Sequence, residues 1–78
     1  MEVKFTRSAR KHRIGKVHAM HVMTSVEPVI LPADEDHDER LVWVGEDERG
    51  VELEVVAIQL PDLVLVIHVM PTHFRRRR

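Results

Sequence analysis

The chain has no cysteine and no tyrosine, and its only aromatic residues are Phe5, Trp43 and Phe74. Without cysteine there is no disulfide, no thiolate zinc site and no cysteine nucleophile. That absence suits a reducing cytoplasm, which is the expected location. Only Gly15, Gly45 and Gly50 are glycines, and they are too scattered for a phosphate-binding loop or a dinucleotide fingerprint. No Ser/His/Asp arrangement stands in their place. So few aromatics argue against a sheet that stacks bases like an RNA-recognition motif, and no recognition helix of the helix-turn-helix type stands out. No apolar run approaches the ~18 residues of a spanning helix, and the basic start lacks the apolar stretch of a secretion signal. No membrane partner is expected.

What is present is short and strongly patterned. A chain of 78 residues makes one small domain, residues 1–78, with no room for a second core. The net charge of −1 conceals segregation. Residues 1–20 carry Lys4, Arg7, Arg10, Lys11, Arg13 and Lys16 against Glu2 alone. Residues 27–39 carry Glu27, Asp34, Glu35, Asp36, Asp38 and Glu39 with no lysine or arginine. A basic tail, 75–78, closes the chain. It is either a solvated run or, if the two basic ends meet, part of a patch that attracts phosphates or an acidic partner.

Hydrophobic periodicity divides the chain near Leu41. Glu2–Phe5 reads as a strand, and Thr6 or Ser8 can cap a basic helix over Ala9–Arg13 that ends near Gly15. Lys16–Val26 reads as a second helix, with Ala19, Met20, Val22, Met23 and Val26 on one arc. Pro28 and Pro32 stop it, and residues 33–40 form an exposed acidic loop. Beyond, the period becomes two: strands over Leu41–Val44, Val51–Leu60 and Leu63–Met70, joined by a turn at Gly45–Gly50 and another at Pro61-Asp62. Most of the 13 valines fall in these strands. The expected fold is α+β, with two N-terminal helices packed on a three- to four-stranded antiparallel sheet in the order β-α-α-β-β-β. Two short helices cannot cover so many apolar strand positions, so a separate polypeptide is expected on the open face.

Six histidines are many for this length. His18 and His21, three apart on one helix, point about 60° apart and could share a metal. Two ligands close no site, and no carboxylate lies nearby in sequence, so no metal and no cofactor is expected. His37 belongs to the acidic loop and receives no role. By strict alternation His68 shares a face with Val64, Val66 and Met70. It is either a satisfied half-buried side chain or a general acid/base at the end of the sheet, beside His73 and the arginines. The segment Arg10-Lys11-His12-Arg13 is either a solvated helix face or a set of groups that holds phosphate.

The order of these features resembles a known family. Lys4-Phe5 ends the first strand, a basic segment with Lys11-His12 and Ile14 follows, and then a second short helix. After the acidic loop come Glu39-Arg40-Leu41-Val42-Trp43-Val44-Gly45, then Gly50 and Glu54-Val55-Val56-Ala57-Ile58. Leu65-Val66-Ile67-His68 leads into basic residues. This resembles the BrnT-type toxins of the RelE-like group, small bacterial ribonuclease toxins of type II toxin-antitoxin systems, over nearly the whole chain. The chain departs from the pattern at Arg13, where those toxins usually have glycine after Lys-His. It departs again at His68-Val69-Met70-Pro71-Thr72, where they usually have a Ser-Ala-Arg motif.

The resemblance implies a RelE-like fold and a metal-independent mRNA endonuclease, free or on the ribosome, held harmless in an oligomeric complex by a cognate antitoxin. On that reading His12, His68, His73 and Arg75 are the candidate catalytic residues. Arg10, Lys11, Arg13, Lys16 and Arg76 are the candidate RNA-binding residues. The other reading is a module of the same fold that docks to a partner without catalysis.

Overall fold

The valine-rich alternation beyond residue 40 builds most of a single sheet. The computed structural model describes residues 2–76, with side chains as far as Phe74. Its strands are β1 (Glu2–Phe5), β2 (Val29–Leu31), β3 (Arg40–Glu46), β4 (Glu52–Gln59) and β5 (Leu63–Pro71). The helix is α1 (Lys16–Ser25), and 3-10 turns cover Ser8–Arg10 and Thr72–Arg76. The sheet order is β1-β5-β4-β3-β2. β2 to β5 pair antiparallel in sequence, whereas β1 runs parallel to β5, with Val3 opposite Val64 and Phe5 opposite Val66.

This overturns the expected two helices on a three- to four-stranded antiparallel sheet. Among the described residues there is one α-helix, on a five-stranded mixed sheet. The first expected helix is a succession of tight turns. Thr6 Oγ1 accepts from the Ala9 amide at 3.2 Å, which is the expected cap. The amides of Arg10, Lys11 and Arg13 then bond three residues back, to Arg7, Ser8 and Arg10. Arg13 adopts φ 59°, left-handed backbone that no helix can continue through. The segment offers the core only Ala9, fully buried, and Ile14. A run with no apolar stripe gains too little from packing to offset the nucleation of an α-helix. The unexpected strand, β2, is three exposed residues between Pro28 and Pro32, too short to show alternation.

The core lies between α1 and one face of the sheet. Ala19 and Val22 of α1 are fully buried, with Met23 and Val26 beside them, as the wheel predicts. They meet Trp43, Leu53, Val55, Ala57, Val66 and Val69. At Gly45 the helix comes so close that a Cβ would lie 2.9 Å from Val26 Cγ1. Among the described residues no helix is long and apolar enough to cross a membrane.

Among the described residues no second layer covers the other face of the sheet. By register it presents Val29 and Leu31, Val42 and Val44, Glu54, Val56 and Ile58, and Leu63 and Leu65. Val29 and Val44 are 63% and 48% exposed.

One irregularity matters for the site. Between β4 and β5 the register slips: Ala57 pairs with Val66, but Val56 pairs with His68, leaving Ile67 as an extra residue. This β-bulge breaks the alternation assumed for β5. His68 does not share a face with Val64 and Val66; it joins Met70, Val56 and Glu54 on the open face, while Val69 turns into the core.

Candidate functional site

β1 is only four residues long, so it pairs with the first half of β5 and leaves the second half without a strand neighbour on that side. The amide of Thr6 makes one more bond, to Val66 O at 3.0 Å, and the first 3-10 turn then packs against β5. This detour delivers His12 to the edge of the sheet. On β5 the bulge turns His68 towards the same place. The chain leaves β5 at Pro71 into the second 3-10 turn, which carries His73 and Phe74. Thr72 ties that turn to β4 by donating its hydroxyl to Glu52 Oε1 at 2.5 Å.

Two expected site histidines, His12 and His68, are brought together here, with Phe74 against His12 and His73 against Phe74. The rings of His12 and His68 lie 6.4 Å apart between centroids at 86°, edge to face. His12 meets Phe74 at 5.4 Å and 77°, and His73 meets Phe74 at 4.8 Å and 90°. His68 Nε2 is 3.2 Å from Glu54 Oε2, outside good hydrogen-bond geometry but at ion-pair distance. The two side chains are 34% and 16% exposed. At that distance and without a hydrogen bond, the carboxylate acts on the ring through its charge. Glu54 is a neighbour of His68 to which the residue pattern did not point. The missing signal was the bulge: continuing the hairpin register from Gln59–Val64 without it would pair His68 with Val55, on the opposite face.

The candidate phosphate-holding cations are distributed unevenly. Arg10, Lys11 and Arg13 are exposed on the turns that flank His12. Lys16 lies further on, at the start of α1, with its Nζ 5.8 Å from the centre of the Phe5 ring. The side chains of Arg75 and Arg76 lie outside the described residues. No enclosed pocket opens among the described residues, so the histidine cluster forms a surface site.

His18 and His21 do not converge. His18 faces the turn between β3 and β4, where Nδ1 lies 2.5 Å from Glu48 Oε2, and His21 is exposed. His37 Nδ1 lies 3.2 Å from Asp34 Oδ1 inside the acidic loop. Asp34 Oδ1 also accepts from the amides of Asp36 and His37, both at 2.8 Å, and the Asp36 bond leads the effects that hold its carboxyl below the usual range. No family model, no curated protein and no solved structure matches this chain.

Proposed function

We propose that the chain is an RNA endonuclease of the toxin type, cutting without a metal through His12 and His68. The observation that carries this reading is the meeting of His12, from the basic N-terminal segment, with His68 at one edge of the sheet. Cleavage through the ribose 2′-hydroxyl needs one group to take a proton and another to give one. One imidazole removes the 2′-hydroxyl proton, the oxygen attacks the adjacent phosphorus, and a 2′,3′-cyclic phosphate forms. The other imidazole, protonated, gives its proton to the departing 5′-oxygen. Each such group is worth ~10²–10⁴ in rate. Arg10, Lys11 and Arg13 supply positive charge for the phosphate, and Glu54 steadies His68. The cellular setting that goes with this activity is the cytoplasm, with a cognate antitoxin as protein partner.

A second reading rests on the open sheet face, where exposed Val29 and Val44 lie beside Val42, Val56 and Ile58. An apolar surface of this kind marks a binding face, and the chain would then act by docking alone. Induced expression followed by mapping of RNA ends separates the two. New ends at discrete positions are expected. Intact RNA after expression of a folded chain would favour the docking module.

A further inference from the structure

We propose that His18, Asp47 and Glu48 form a binding site for a divalent cation of the zinc type, which pins the first turn of α1 to the turn between β3 and β4. The site is separate from the histidine cluster and does not depend on the nuclease reading. One nitrogen and two carboxylate oxygens lie within 4.8 Å of one another. His18 Nδ1 is buried and makes no hydrogen bond of good geometry, although Glu48 Oε2 is 2.5 Å away and Asp47 Oδ2 3.8 Å away.

Asp47 is the fixed member. It is 4% exposed, and its Oδ1 accepts from the amides of Arg49 at 2.8 Å and Val51 at 3.1 Å. Oδ2 accepts from Arg49 Nε at 3.0 Å and Nη2 at 2.7 Å. Those two nitrogens are neighbours on one guanidinium, so both N–H groups reach Oδ2 from the same side and leave it a second lone-pair direction. Ligand bonds of ~2.0–2.2 Å place two donors about 3.4–3.8 Å apart for angles from tetrahedral to about 130°. The 3.8 Å between His18 Nδ1 and Asp47 Oδ2 fits that span, though it is too long for a direct hydrogen bond. Glu48, with a side chain 39% exposed, has room to draw back by the further ångström that an ion would need. One imidazole and two carboxylates suit zinc or a neighbouring first-row ion, with the remaining position open to water. Asp47 and Glu48 bring two negative charges and Arg49 one positive, a local sum of −1. The competing arrangement is a protonated His18 paired with Glu48 and no ion.

The test is calorimetric titration of the full chain with zinc chloride, repeated with cobalt(II) to read the visible absorption of a site with protein ligands. One saturable equivalent is expected. Both His18→Ala and Glu48→Gln should weaken it at least ~10-fold, since each removes a direct ligand. His21→Ala and His37→Asn should bind zinc as the parent does. Glu48→Gln, at an exposed position, decides the matter if His18→Ala fails to fold. Absence of a saturable site, affinity unchanged in Glu48→Gln, or equal loss in His21→Ala would each overturn the proposal.

Discussion

Arg13 carries φ 59°, a conformation that an L-residue adopts at a cost of roughly 1–2 kcal/mol and glycine adopts freely. It stands where the BrnT-type pattern calls for glycine after Lys11-His12. The departure was visible in the sequence, but its physical meaning needed the backbone: the chain must reverse here to carry His12 past the edge of β5 and still reach α1. Arg13→Gly should therefore stabilise the fold. Glycine's extra freedom in the unfolded chain takes back about 0.4–1 kcal/mol, leaving a net gain centred on about 0.8 kcal/mol. For a domain of this size that is a rise of about 2–8 °C in Tm, measured by thermal unfolding. An unchanged or lower Tm would mean that the Arg13 side chain contributes more than its backbone loses.

At the scale of elements, the hairpin joining β3 and β4 is organised by one side chain. Burial by itself would push the Asp47 carboxyl up. The hydrogen bonds from the Arg49 side chain and the Val51 and Arg49 amides, together with the Arg49 charge, outweigh burial and hold it below the usual range. Because the folded value lies below the unfolded value of ~3.9, the stabilisation is fully present above that pH and is lost as pH falls through the folded value. Urea unfolding should show stability declining below about pH 4, and the decline should be shallower in Asp47→Asn. Asp47→Ala should lower stability near neutrality by about 1–3 kcal/mol, since it strands the partly buried amides of Arg49 and Val51 and unpairs the Arg49 guanidinium. A parent and variant with the same acid dependence would remove Asp47 from this role.

The same elements show what a sequence can disclose. The three long strands follow from periodicity within a residue or two, because their apolar faces are long enough to count, and Lys16–Ser25 follows from the arc of Ala19, Val22 and Met23 between Gly15 and Pro28. The basic segment misleads because charge and a capping threonine look alike before a 3-10 turn and an α-helix. β2 is invisible because three residues carry no period. The Ile67 bulge leaves no mark in composition, and it reverses the face on which His68 lies.

At the scale of the whole molecule, the histidine cluster depends on topology more than on any local motif. A parallel β1 beside β5 brings the segment after β1 and the segment after β5 to one edge, so His12 meets His68 and Phe74 despite their separation along the chain. The residue types were legible as acid/base candidates; their convergence with Glu54 required the bulge and the register. The His18, Asp47 and Glu48 grouping is likewise a product of the fold, because nothing in the spacing of residues 18 and 47–48 announces contact.

The proposed cleavage requires His12 and His68 to exchange protons with RNA. The direct measurement is cleavage of a single-stranded RNA by the purified chain in excess EDTA, with analysis of the product ends, for the parent, His12→Gln and His68→Gln. Glutamine keeps bulk and a polar end but cannot shuttle a proton near neutral pH. Proton transfer by the two imidazoles should give 2′,3′-cyclic phosphate ends with the parent and a rate loss of ~10²–10⁴ in each folded variant. Parent activity retained in folded His68→Gln, or no cleavage by the parent on any RNA with or without ribosomes, would contradict it.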